Sequence, residues 1–507
     1  MNFFISILYI YTFFSISQAD IGKWLGDIWY DTKEIWEGTK AMWYDTKDTY
    51  FYMRFKHPAS ISLYKYLDLD VNPCDNFYKF SCGKWIKTKE SRLGNKKSYT
   101  FDHTTGNFEK FTSDVLHEKK YTNESRMLSA LIYLQSQCKK LLKDKYNNCW
   151  SEIYRFGKYA LSSVFLKRNI RRIEGNGDYK RIKDMALRIK EQLSLLIEEK
   201  KDIFDEDTRI NLLHKINEIK FETNFDEYDL SNGSSMWDCY NNVGINYNDH
   251  IENILRAIRH HKGLSDKNED NLTSCRGKIF QPQLMNIYII GSGWYIPDLN
   301  VFVINSALLN ELSYSTHFPY ALNYGYIGNI MAHEMLHAFD SNNYNRTLVY
   351  KISDNKVSNM SMKNYLNKTA CFDHQYDTQK ESITNINVNG SKTLAENIAD
   401  NGGLKIAHRA YLKYREFTNS KNDRVEGFMQ FDDEQLFFIS VGRNFCTYRS
   451  KDKLEKQIIT DTHTPSEIRN NVLLSNYKPF SKAFNCPVNS RMNPENKCEL
   501  WKNKKQN

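Results

Sequence analysis

In the stretch YKRIKDMALRIKEQLSLLIEEKK, apolar residues fall at Ile182, Met185, Ile189, Leu193 and Leu196. These three- and four-residue steps gather them on one face of a helix and leave a charged face outward. The pattern is mainly helical from about 60 to 280, with LSNGSSMWD and LSDKNEDNLTS reading as loops. After 284 the character changes. NIYIIGSGWYIPDLNVFVI is rich in β-branched and aromatic residues around Pro297–Asp298, which predicts two strands joined by a turn. Helical spacing returns from YIGNIMAHEMLHAF onward. Near the start, Trp29, Trp36, Trp43 and Tyr50 recur every seven residues, one aromatic stripe on a helix. Such a stripe docks on the protein's own body or on a second copy, lies on a membrane surface, or lines a ligand site.

The chain has 507 residues, enough for more than one lobe. Its first residues, MNFFISILYIYTFFSISQAD, form an apolar run ending in the small-x-small pattern Ser17-Gln18-Ala19, read as a secretory signal cut after Ala19. The alternative is an uncleaved membrane anchor. No other run approaches the roughly 20 apolar residues of a membrane span. Ten cysteines without a Cys-x-x-Cys spacing suit disulfides in an oxidising compartment. Glycan acceptors of the form Asn-x-Ser/Thr begin at Asn123, Asn232, Asn271, Asn345, Asn359, Asn367 and Asn389. The net charge of +9 is spread among acids and forms no basic block, which argues against nucleic acid as a partner.

The segment NIMAHEMLHAFD sets His333 and His337 one helical turn apart, about 40° around the axis, with Glu334 on their flank. Met331, Met335 and Ala338 gather on the opposite side. Two imidazoles so placed converge on one tetrahedral ion, and the adjacent carboxylate reaches a water in its open position. With 13 histidines in the chain, a chance H-E-x-x-H arises on the order of a few per cent of the time, so a third ligand is required. Glu396 in SKTLAENIADNGGLKIAHRAY is the candidate, with Asp400 one turn later to take the other ring N–H of a ligand histidine. Standing alone, that segment reads as an acidic solvated face. His260-His261, beside Arg259 and Lys262, reads as a solvated basic end.

Taken together, VNPCDNFYKFSCGKW, ALNYGYIGNIMAHEMLHAFD, LAENIADNGGLKIAHRAY, FFISVGRNFCTYRS, TDTHTPSEIRNN and FNCPVNSRMNPENKCELW stand in an order that resembles the neprilysin and endothelin-converting-enzyme family of zinc metallopeptidases. The resemblance is continuous from about 284 to 501 and thin before that. It implies a mainly α fold with a small β-sheet. A thermolysin-like zinc peptidase lobe would carry the H-E-x-x-H helix and a glutamate-bearing helix, under a reduced helical covering lobe. It also implies one Zn2+ per chain on His333, His337 and Glu396, with Glu334 as general base and Asp400 behind a ligand histidine. His463 would steady the oxyanion, and Arg469 would grip a substrate carbonyl. By its residues alone, His463 in a Thr/Pro-rich loop reads as a surface histidine. The family's disulfide pattern pairs Cys74 with Cys486, Cys82 with Cys446, Cys138 with Cys275 and Cys371 with Cys498, leaving Cys149 with Cys239.

The family's Asn-Ala-Tyr-Tyr substrate strand reads Ser292-Gly293-Trp294-Tyr295 here, so Ser292 and Gly293 would bind substrate with an altered grip. Only 16 residues separate Cys275 from Ser292, where the family has a long helical stretch. The expected organisation is a signal over 1–19, an amphipathic Trp segment over 20–60, a helical lobe over 61–283 and a catalytic lobe over 284–507. The expected function is a secreted, disulfide-bonded, glycosylated zinc metalloendopeptidase cutting peptides on the amino side of hydrophobic residues. The alternative is a secreted zinc-fold binding or decoy protein with little turnover. Residues Trp29, Trp36 and Trp43 offer peripheral membrane contact, and the oligomeric state is open.

Overall fold

The computed structural model describes residues 50–93, 96–223, 226–309, 313–345, 357–419 and 424–501. The signal-like start and the three tryptophans of the aromatic stripe lie outside the described residues. By compactness the chain divides into Met1–Ile61 and Ser62–Asn507, and the second unit carries everything below.

That unit is mainly helical with two small sheets among the described residues. In chain order its principal helices are α1 (Phe77–Glu90), α2 (Arg126–Cys138), α3 (Lys143–Gly175), α4 (Asp178–Glu198), α5 (Gly233–Asn242), α6 (Ile251–Lys267), α7 (Cys275–Phe280), α8 (Asn329–Leu336), α9 (Asn359–Asp377), α10 (Gly390–Thr418), α11 (Asp433–Arg443) and α12 (Ser466–Asn476). The strands are β1 (Thr100–Asp102), β2 (Lys220–Glu222), β3 (Gly293–Ile296), β4 (Val301–Ile304) and β5 (Thr447–Arg449).

Helix α4 covers the amphipathic stretch singled out by its spacing, and Ile182, Met185, Ile189, Leu193 and Leu196 are all buried. Burying five such side chains contributes on the order of 10 kcal/mol gross, most of it offset by ordering the chain. The buried stripe explains the position of α4, which packs against α8 and α10 and so supports the metal-site helices from behind.

β3 and β4 form the expected antiparallel pair, with Gly293 opposite Ile304 and Ile296 opposite Val301. β2 adds to the far edge of β4 in parallel, leaving β3 outermost. The helical pattern before 280 did not reveal β2, because three residues are too few to show a period. Two other expectations need correction. LSNGSSMWD is not a loop throughout: Asn232 accepts hydrogen bonds from the backbone N–H groups of Ser234 and Ser235 and starts α5 at Gly233. α6 likewise runs on through Leu264–Lys267 before the chain turns.

The beginning of the unit is joined to its end. α1, capped by Asn76, packs on α11 and α12, and β1 pairs with β5. Two disulfides fix this arrangement, Cys74–Cys486 and Cys82–Cys446, and Cys371–Cys498 ties α9 to the chain end, all as the resemblance implied. The first spans 412 residues. Closing a loop that long restricts the unfolded chain by about 6 kcal/mol in the chain-entropy account.

The remaining two pairings differ from expectation. Cys138 bonds Cys149 and Cys239 bonds Cys275. Cys138 ends α2 and Cys149 lies near the start of α3, so the hairpin between adjacent helices brings the two together. Cys239 on α5 then faces Cys275 at the start of α7. A non-reducing protease digest read by mass spectrometry should yield Cys138–Cys149 and Cys239–Cys275 peptides; a Cys138–Cys275 peptide would contradict this arrangement.

Candidate active site

The histidine helix is the middle of a longer helical run. It begins at Tyr320, passes a π-turn over Tyr324–Gly328, continues as α8, and tightens into a 3-10 turn over His337–Phe339. Met331, Met335 and Ala338 are fully buried, which turns His333, Glu334 and His337 toward a cleft. α10 crosses α8 at Gly403, with no side chain between them. A Cβ on Gly403 would lie 2.8 Å from the His333 backbone nitrogen and 2.9 Å from its Cα. This close approach brings Glu396, two turns earlier on α10, beside the imidazoles.

His333 Nε2 and His337 Nε2 are 3.1 Å apart, and Glu396 Oε2 is 3.3 Å from the first and 3.7 Å from the second. A tetrahedral zinc with arms of about 2.0–2.1 Å has ligand–ligand edges of about 3.3–3.4 Å, so this donor set fits one zinc ion. No other group of three potential ligands meets on one point among the described residues. His260 and His261, exposed and half-buried on α6, take no part, and His261 stacks on Phe280.

Carboxylates stand behind each imidazole. Asp400 Oδ1 lies 2.9 Å from His333 Nδ1, close but off the line of a good hydrogen bond. Asp340 Oδ2 lies 2.8 Å from His337 Nδ1, and Asp461 Oδ1 lies 2.9 Å from His463 Nδ1. Such partners orient a ligand ring and raise its basicity. Asp340 and Asp461 were missed in the sequence. Asp340 could have been found from its place three residues after His337, on the same helical face.

His463 Nε2 lies 3.2 Å from Glu396 Oε2. Arg469 is buried behind that wall, where its Nε and Nη2 donate to the two oxygens of Asp400 and its Nη2 lies 3.4 Å from Glu396 Oε2. Neither Arg469 nor Asp400 lines the cleft itself.

The electrostatics favour a cation. Burial lowers His333, yet the Asp400 and Glu396 carboxylates outweigh it and hold the imidazole at about 10. Burial likewise lowers His463, but Asp461 and Glu396 carry it to about 9. Burial would raise Glu396, while hydrogen bonds from His333 and His463 keep it well below the usual carboxylate range. Burial raises Glu334 against the opposing pull of His333 and His337. His333, His337 and Glu396 would hold a dication in this negative field, in place of the imidazole protons.

The cleft has a volume of about 410 Å3. One wall is Ser292, Gly293, Trp294 and Tyr295 of the edge-strand segment; the floor is His333, Glu334 and His337; the far side is Glu396 and His463. Gly293 leans on the acid: a Cβ there would lie 3.0 Å from both Glu334 Cγ and Oε1. The Ser292 hydroxyl donates to the Gly293 carbonyl oxygen at 3.1 Å. All nine expected site residues therefore lie in or directly behind one cleft.

The model of Peptidase family M13 matches residues 292–500. Over residues 292–500 the chain is therefore similar to Peptidase family M13. Within known proteins, endothelin-converting enzyme-like 1 of Homo sapiens is 34% identical over 257 residues, 50% of this chain and 31% of that protein. Neprilysin-1 of Caenorhabditis elegans is 30% identical over 273 residues, 51% of this chain and 36% of that protein. The chain thus spans about a third of the length of the curated relatives it matches. The structure of the Mycobacterium tuberculosis zinc metalloprotease Zmp1 shares the fold, with a TM-score of 0.50 and 20% identity over 71% of this chain and 52% of that one. The matched segment, 292–500, contains all nine site residues.

Replacing Gly403 by Ala should force α10 away from the His333 backbone. Overpacking of this kind outweighs the gain in helix propensity. Zinc affinity, read by competition with a fluorescent chelator, should fall at least about tenfold; an unchanged affinity would show that the crossing does not set the ligand spacing.

Proposed function

We propose that this chain is a zinc-dependent endopeptidase with one zinc ion held by His333, His337 and Glu396. The convergence of those three donor atoms beside Glu334, under an edge strand, supports this reading most directly. When bound, zinc polarises a scissile carbonyl and lowers the pKa of a water toward neutrality. Glu334, next in sequence to a ligand and on the cleft floor, takes the water's proton and returns it to the leaving amine. His463 stabilises the oxyanion as it develops, and Asp461 holds its other ring nitrogen. A role for Arg469 at a substrate backbone carbonyl follows from the resemblance to the family alone, since its Nε and Nη2 are held by Asp400 behind the cleft wall.

The outer strand β3 receives an extended peptide as an added strand, alongside Ser292 and Gly293 of the cleft wall. The preference for a hydrophobic residue after the cut follows from the resemblance to the family.

Export is supported by two features. All ten cysteines are paired, which suits an oxidising compartment. All seven glycan acceptor asparagines are exposed.

A second reading, a zinc-fold binding protein with little turnover, draws on Ser292, whose one hydroxyl is spent on its own strand. Incubation with a peptide library separates the two. The enzyme should cut before hydrophobic residues, stop on chelation and recover with zinc. Glu334→Gln should keep zinc but lose at least about 100-fold in kcat. Zinc binding without cleavage by the native chain favours the binding protein, and cleavage undiminished by Glu334→Gln overturns the mechanism.

A further inference from the structure

A second cavity, of about 790 Å3, opens between α3, α6 and α7, and none of its lining residues belongs to the metal cleft. Its size falls in the range of small-molecule sites. Phe156, Ile258, Ile279 and Phe280 form an apolar floor. The charges around it are of two kinds. Arg259 is spent on Glu152 through two hydrogen bonds of 2.8 Å, and Lys262 on Asp266 at 2.6 and 2.7 Å. Those pairs are self-compensated.

Lys158 and Arg155, one turn apart on α3, are not. The Lys158 ammonium donates to the neutral Asn286 Oδ1 at 2.7 Å, and among the described residues no carboxylate pairs with it or with Arg155. Burial lowers Lys158, and no neighbouring charge opposes that shift. A half-buried cation beside apolar surface is costly until an anion joins it.

We propose that this cavity binds a long-chain carboxylate, its head on Lys158 and Arg155 and its tail along the apolar floor. A small inorganic anion would meet the two cations but leave the floor uncovered. A neutral lipid would cover the floor but leave Lys158 without a counter-charge. Only a ligand with both parts satisfies the whole cavity.

The test is a fluorescence titration of the full chain with dansyl-undecanoic acid below its micelle concentration. Saturable binding is expected, displaced by oleate and not by oleyl alcohol or acetate. Lys158→Glu and Arg155→Glu should each weaken probe binding about tenfold or more, with the melting temperature unchanged. Arg155 is exposed, so its variant stays informative if the Lys158 variant fails to fold. The proposal is overturned by an absence of saturable binding, by oleyl alcohol displacing as well as oleate, or by a folded Arg155→Glu variant that binds like the native chain.

Discussion

The crossing of α8 and α10, backbone against backbone at His333 and Gly403, is the constraint on which the site depends. Metal ligands tolerate only a few tenths of an ångström of misplacement, and two of the three sit on one helix while the third sits on the other. Any side chain between the helices would widen the triangle of donor atoms. The same crossing carries Asp400 to the back of His333, so ligand and support move together. Burial of α4 against both helices and the Cys371–Cys498 bridge hold the pair in place.

Around that crossing the chain is arranged to leave one side open. The sheet contributes its outermost strand to the cleft wall, with Gly293, Trp294 and Tyr295 among the lining residues. Gly293 lets that strand lie close to Glu334, where a Cβ would come within 3.0 Å of the Glu334 Cγ and Oε1. The join of the unit's beginning to its end, through α1, β1 and two long-range disulfides, packs α1 on α12, whose first turn holds Arg469 and whose preceding loop holds His463.

Much of this was legible in the sequence where a period or a spacing carried it. The buried stripe of α4, the strand pair around Pro297–Asp298 and the one-turn spacing of His333 and His337 all follow from local geometry. Glu396 could be singled out only beside the histidine pair, since its own segment with Asp400 one turn later reads alone as an acidic solvated face. What escaped was short or tertiary. β2 has three residues and no visible period, and its pairing with β4 is a long-range choice. Asp461 sits in a loop where a carboxylate next to a histidine is unremarkable until the fold turns both toward Glu396. The misassigned cysteines show the limit of resemblance: the shortened helical region makes adjacent helices the nearest partners for Cys138 and Cys275.

The central claim, that two imidazoles and one carboxylate meet on a single zinc ion, is tested most directly by X-ray absorption at the zinc edge of the purified full chain. The account predicts about one zinc per chain, a first shell of nitrogen and oxygen at about 2.0–2.1 Å, and the outer-shell signature of two imidazole rings. A protein that binds no zinc, or one whose zinc shows sulfur neighbours or lacks imidazole scattering, would contradict it.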